Sequence, residues 1–142
     1  MIDIENKVLN DVFAAVRSAF PGTQCYGEYV AVPAAFPCVC IYEASNSTYR
    51  RSQDTDLQEH QANLMYECNV YSDKATGKKT EARSIAKLVD ETMQDMKFTR
   101  TFFQSLPNLD RTIYRITLRW EAVAGEPIVT DGGNVTYQMY RE

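Results

Sequence analysis

The sequence has no long apolar stretch. No segment of its 142 residues approaches the roughly 18 consecutive apolar residues that a membrane-spanning helix needs. Residues 1–7 carry charges where a secretory signal peptide would have an uninterrupted apolar core. We therefore expect a soluble protein that contacts no membrane and is not exported by the general secretory route.

Basic residues are also scarce. The chain has 15 Lys and Arg against 19 Asp and Glu, a formal net charge of −4 at pH 7, and neither sign forms a long block. Proteins that bind nucleic acids usually present a basic face that displaces counterions from phosphates. The charge pattern therefore argues against a sequence-specific nucleic-acid binder.

Apolar residues are numerous enough for one core. They make up 44% of the chain, and the length is typical of one domain. No repeat, low-complexity segment or linker divides the chain, so we expect a single domain over residues 1–142. The nine tyrosines suit both half-buried sheets and protein interfaces.

Two segments have apolar residues at three- and four-residue steps, which predicts two amphipathic helices. The first runs from Ile4 to Phe20 and precedes a Pro-Gly stop signal at residues 21–22. The second runs from about Gly77 to Lys97, with Asp90 mostly away from its apolar face. That face comprises Ile85, Leu88, Val89, Thr92, Met93 and Met96.

The remaining segments predict an antiparallel sheet. Residues 24–32 and 37–45 are expected to form a hairpin, and residues 46–61, the most polar segment, a long loop. Alternating apolar residues predict strands at 62–70 and 113–123, and a further strand is expected at 98–106. A Gly-Gly turn between residues 128–130 and 135–140 predicts a C-terminal hairpin. The expected fold is α+β: a mostly antiparallel sheet with both helices on one face and a hairpin at the C-terminus.

The cysteines and the sole histidine do not form a convincing reactive site. Cys25, Cys38, Cys40 and Cys68 all fall in predicted strands, which favours reduced, buried thiols. A Cys-x-Cys pair in a strand holds its sulfurs about 7 Å apart, unlike the turn of a structural zinc site, so we expect no metal. His60 with a cysteine partner would make a nucleophilic pair. A small cysteine-dependent hydrolase is therefore the alternative from another functional class.

A short segment resembles a phosphate-binding loop only in part. Residues 76–80 read Thr-Gly-Lys-Lys-Thr at a predicted helix start, but the glycine spacing of such loops is not met. We interpret the segment as a helix start capped by Thr76 and Gly77. No cofactor is expected.

Two features favour self-assembly. The polar segment places two arginines close to two aspartates, so opposite charges can meet their complements on a neighbouring copy. The C-terminal hairpin either extends the sheet or offers its edge to a neighbour. The candidate interface residues are Tyr49, Arg50, Arg51, Asp54, Asp56, Tyr137 and Tyr140.

Residues 66–72 and 97–100, the helix over 82–96 and the late strand over 114–120 carry a resemblance. In order and pattern they are similar to the tail terminator, or tail completion, proteins of long-tailed bacteriophages. The resemblance implies a virion structural protein, without cofactor or catalysis, that assembles in the bacterial host cytoplasm. It implies a homo-hexameric ring in the tail or neck that caps the tail tube, stops its polymerisation and joins the tail to the head connector. Another head-tail joining protein of the same particles is the alternative.

Overall fold

The computed structural model describes residues 1–48, 61–108, 110–129 and 135–140, and gives strand residues 126–129, 135–138 and 140 by backbone alone. Within these residues, neither helix is long and apolar enough to cross a membrane. The elements in chain order are α1 (Glu5–Ala19), β1 (Gln24–Tyr26), β2 (Cys38–Thr48), β3 (Gln61–Ser72), α2 (Lys78–Asp95), β4 (Thr99–Ser105), β5 (Tyr114–Val129) and β6 (Val135–Tyr140).

The strands form one sheet in the order β1-β2-β3-β5-β4, and β6 pairs with β5. Every ladder is antiparallel except the one between β1 and β2. Because β3 occupies one side of β5 throughout residues 114–125, β4 and β6 follow one another along its other side. The predicted α+β fold, the mostly antiparallel sheet and the C-terminal hairpin are confirmed.

The predicted hairpin of residues 24–32 and 37–45 is wrong. Of the first predicted strand, 24–32, only Gln24–Tyr26 is a strand, and it runs parallel to β2 with Gln24 opposite Cys38. Parallel strands need a crossing connection rather than a tight turn. Residues 27–37, here called the strap, provide it: they cross the sheet face that carries no helix, where Val30 and Phe36 pack on residues of β2 and β3.

Further strand boundaries differ from prediction. Residues 46–48 continue β2 and Gln61 begins β3 rather than belonging to the predicted loop, whose other residues, 49–60, lie outside the described part of the chain. The predicted strands at 113–123 and 128–130 are one strand, β5. Its ladder with β6 changes register between Ala124 and Pro127, which suits proline, since proline has no N–H to donate.

The core lies between the helices and one face of the sheet, which confirms the predicted placement of both helices. Alternation along β3 and β5 sends every second side chain into this layer. The largest fully buried side chains there are Trp120, Tyr66, Phe98, Ile41, Leu64, Ile85, Met93, Ile116 and Leu118. Each such side chain contributes roughly 1.5–3 kcal/mol by leaving water.

Asp90 lies inside this core, contrary to the prediction that it faces elsewhere. Its Oδ1 accepts a hydrogen bond from Trp120 Nε1 at 2.9 Å, and its Oδ2 accepts from Arg100 Nη1 at 2.6 Å and from Gln94 Nε2 at 2.8 Å. Asp90 is only 8% exposed. The carboxylate satisfies an indole N–H that would otherwise be buried without a partner, and it joins α2 to β4 and β5.

An acidic corner joins the start of α1 to β2. The Glu43 backbone N–H donates to Glu5 Oε2 at 3.0 Å, and Asn46 Nδ2 donates to the Ile2 carbonyl at 2.7 Å. Burial, and then the negative charges of Asp3 and Glu5, raise the pKa of Glu43 to about 7. Ionisation of Glu43 is therefore unfavourable in the folded chain, and it destabilises the acidic corner.

We predict that Asp90→Ala lowers the free energy of unfolding by about 2–4 kcal/mol, because it leaves the Trp120 indole N–H buried and unpaired. The partner Arg100 is 43% exposed at its side chain, so little of this loss comes from the ion pair. Urea unfolding measures it. Glu91→Ala, an exposed change on the same helix, is the control; equal effects of the two substitutions would contradict the prediction.

The acidic corner predicts a pH dependence. The pKa of Glu43 is raised from 4.5 to about 7. The contribution that neutral Glu43 makes to the free energy of unfolding is therefore fully present below pH 4.5 and is lost as the pH rises through 7. Glu43→Gln should raise the urea midpoint at pH 8 and leave it unchanged near pH 4.5. Glu28→Gln, at an exposed position, should do neither. An equal gain at both pH values would contradict this account.

Candidate functional site

The β2–β3 and β5–β6 ladders reach the same end of the sheet. β2 finishes at Thr48, opposite Ala62 at the start of β3, and Gln61 of β3 pairs with Gly125 of β5. Beyond Gly125, β5 continues to Val129 with β6 as its one partner among the described strands. We call this the hairpin end, defined by Thr48, Gln61, Gly125 and the β5–β6 ladder beyond them.

The predicted interface residues relate to this end as follows. Tyr49, Arg50, Arg51, Asp54 and Asp56, together with His60, lie outside the described residues, in the connection between β2 and β3.

Tyr137 and Tyr140 lie in β6, where their backbones pair opposite Pro127 and Val123. Their side chains lie outside the described part of the chain. The strands that flank both predicted segments therefore meet at the hairpin end.

The helix-free face of the sheet carries a charged pair at the middle of the β3–β5 ladder. Arg119 Nε donates to Glu67 Oε1 at 2.8 Å, and the Tyr42 hydroxyl donates to the other oxygen of Glu67. The Arg119 guanidinium carbon also lies 5.1 Å from the centre of the Phe102 ring, within reach of a cation–π contact. The Arg119 side chain is 47% exposed and that of Glu67 18%. The face thus presents a cation that is held in place yet accessible.

Protonation states in this network follow from its contacts. Desolvation pushes the pKa of Glu67 up, but the hydrogen bonds from Tyr42 and Arg119 and the charges of Arg119 and Arg115 outweigh it, so this pKa lies below its ordinary value. Desolvation and Glu67 itself raise the pKa of Tyr42. At neutral pH Glu67 is charged and Tyr42 is a neutral donor.

A second polar group occupies the other half of the face. Asn69 Oδ1 accepts from Arg115 Nε at 2.9 Å and from Thr117 Oγ1 at 2.7 Å. Arg115 lies near the rings of Tyr29 and Tyr71, at 6.0 and 5.8 Å from their centres. The strap covers this half, so the accessible half is the one that leads to the hairpin end.

A polar groove of about 280 Å³ continues the accessible half toward the hairpin end. Asn63 Oδ1 is buried there and has no hydrogen-bond partner among the described residues. A buried acceptor of this kind suits a bridging water or a partner's donor. The groove is lined by Ser45, Ser47, Asn63, Leu64, Met65, Glu121 and Ala122.

Sequence reasoning missed both polar groups of this face. The period-two pattern of β5 does put Arg115, Thr117 and Arg119 on the side away from Trp120. Their partners depend on the register between β3 and β5, which one sequence does not specify. In the structure that register sets Glu67 opposite Arg119 and Asn69 opposite Thr117.

The cysteines are divided between the two faces of the sheet. Cys38 and Cys40 pack under the strap, whereas Cys68 lies in the core beneath the helices. Burial raises the pKa of all four thiols, that of Cys38 to about 12. A nucleophilic thiol needs the opposite shift. Within the described residues, no group of three or more His, Cys, Asp or Glu side chains could hold a metal ion.

The start of α2 differs in detail from the predicted cap. Gly77 precedes the helix with a φ of 86°, and no side chain caps the helix by a hydrogen bond, so the predicted role of Thr76 is wrong. Lys78 Nζ donates to the carbonyls of Arg111 and Thr112 at 3.1 and 3.4 Å. Lys78 therefore ties α2 to the turn before β5.

Comparison with known families assigns the chain. Residues 12–125 match the family model of the tail completion protein gp17, which covers well over half of the sequence. The chain belongs to this family. No curated protein matches it. The family is one of structural tail proteins, so the chain is a tail-completion component of a phage virion. The match ends at Gly125, where β3 leaves β5 and the β5–β6 ladder continues alone.

The thiols give a test of the cysteine-dependent alternative. At pH 7, iodoacetamide should label Cys38 about a thousandfold more slowly in the folded chain than in the unfolded one, because its pKa of about 12 against an ordinary 9 reduces the thiolate fraction by that factor. Cys25, the half-buried thiol, should react first. Mass spectrometry of labelled peptides measures the rates. A rapidly labelled thiol whose rate falls on His60→Ala would contradict the assignment and support the hydrolase.

Proposed function

We propose that the chain forms a ring of identical copies, a hexamer, that caps the tail tube, stops its polymerisation and joins the tail to the head connector. Membership of the tail completion family supports the general role. The observation that carries the finer proposal is the hairpin end, where the β2–β3 ladder finishes and the β5–β6 ladder continues beyond it. On this account the protein assembles in the bacterial host cytoplasm and stays in the tail or neck of the virion.

A ring subunit needs one surface for the tube and two for its neighbours. The hairpin end supplies a surface distinct from the helix layer, since the helices cover one face of the sheet. On the other face the polar groove lies beside this end, and the accessible Arg119 lies further along β5. We place the tube contact at this end and the neighbour contacts on the two faces of the sheet.

The candidate interface residues fit this arrangement by their position in the chain. Tyr49, Arg50, Arg51, Asp54 and Asp56 connect two strands that both terminate at the hairpin end, and Tyr137 and Tyr140 belong to β6. We propose that they contact the tube or the neighbouring copies. Their paired opposite charges suit head-to-tail contacts between identical chains.

Light scattering tests the ring. The chain should gain mass as its concentration rises, and it should reach about six chain masses on the ends of purified tail tubes, because a finished tube offers the template. A chain that stays monomeric at every concentration and does not associate with tubes would contradict the proposal. A chain that binds purified connector but not tubes would support the alternative of a different neck protein.

A charge reversal refines this measurement. Arg50→Glu with Arg51→Glu should weaken association about tenfold by placing like charges together, without moving the urea midpoint. Lys87→Glu, an exposed change in the middle of α2, is the matched control and should leave association unchanged.

A further inference from the structure

The helix face of the protein contains an apolar groove of about 230 Å³. Its floor is built from the buried side chains of Ile4, Val8 and Phe98, between the first turn of α1 and the end of α2. Its rim is charged. The full lining is Ile4, Lys7, Val8, Asp95, Met96, Lys97, Phe98 and Met139.

The strap has the opposite character, an exposed apolar projection. Between Arg17 and Glu43 the sequence contains one charged residue, Glu28. Val32 is 83% exposed and Tyr29 51% exposed, which makes them, with Met1, the exposed large apolar side chains of the described residues. Few charged residues and several tyrosines are typical of the buried centre of a protein interface.

The projection is supported from below. Val30 and Phe36 pack against Cys38, Cys40 and Tyr71 on the helix-free face, and the Tyr29 ring contacts the Tyr42 ring edge to face at 6.4 Å. Val32 therefore stands on a packed base. A preformed projection loses little conformational entropy when it binds.

Groove and projection lie at different places on one chain. The groove is on the helix face and includes Met139, which pairs opposite Ala124 near the hairpin end. The strap is on the other face and leads into Cys38, at the far end of β2. A projection and a groove on opposite faces of one chain can meet head to tail between copies, and head-to-tail contacts close into rings when the rotation permits.

Charge favours the same pairing. Glu28 is exposed next to Tyr29 on the strap, and Lys97 is exposed at a groove rim that holds two basic residues, Lys7 and Lys97, and one acidic residue, Asp95. We propose that the strap of one copy docks into the helix-face groove of the next, with Val32 in the groove and Glu28 facing Lys97. This inference rests on the proposed ring, for which it names the contact between subunits.

Photo-crosslinking tests the contact. Benzoylphenylalanine at position 32, in an equal mixture of ¹⁴N- and ¹⁵N-labelled full-length chains at high concentration, should give mixed-isotope crosslinks to peptides containing residues 4–8 or 95–98. The same amino acid at position 87 should not. Crosslinks to another surface, or no intermolecular crosslink from position 32, would overturn the inference.

A charge exchange gives an independent readout. Glu28→Lys and Lys97→Glu should each weaken association about tenfold, and the double variant should recover most of the loss. Failure of the double variant to recover would overturn the pairing. If the double variant does not recover but the wild-type chain associates and binds tube ends, the ring proposal stands and only this contact is removed. If the wild-type chain does not associate even with tubes present, both proposals are lost.

Discussion

The hydrogen bond from the Trp120 indole to the Asp90 carboxylate fixes α2 across the central strand of the sheet. The same carboxylate accepts from Arg100 on β4, so one buried acid joins the helix to two adjacent strands. β5 in turn pairs with β3, β4 and β6. The hairpin end lies where β5 passes beyond β3 and continues with β6. The helices cover the other side of the structure's core, so one face of the sheet is buried.

The two faces of the sheet therefore differ in what they contribute. The helix face provides stability, because the large apolar side chains are buried there. The other face is polar, and Glu67 holds Arg119 in place at its accessible half. The strap closes the remaining half and carries exposed apolar side chains away from it. Membership of the tail completion family implies contacts with other tail components, and the accessible half-face, the hairpin end and the strap are exposed features that could make them.

Local sequence patterns predicted most of the helices and strands, whereas strand direction, strand register and long-range side-chain contacts could not be predicted from them. Helical spacing located both helices, period-two alternation located β3 and β5, and the Gly-Gly turn signal located the C-terminal hairpin. The direction of β1 depends on how the strap crosses the sheet, which no local pattern encodes. Helical spacing put Asp90 mostly away from the apolar face, and the hydrogen bond that holds it in the core comes from Trp120, 30 residues away. The pair of Glu67 and Arg119 required the strand register. The candidate interface rested on charge pattern and family resemblance, neither of which reveals a groove formed by α1, α2 and β6.

The most direct measurement is the position of the protein on a tail. Purified tails incubated with the gold-labelled chain and imaged by electron microscopy should carry label at one end, because a cap binds the terminal ring of tube subunits. Label distributed along the tube, or tails without label at saturating protein, would contradict the account.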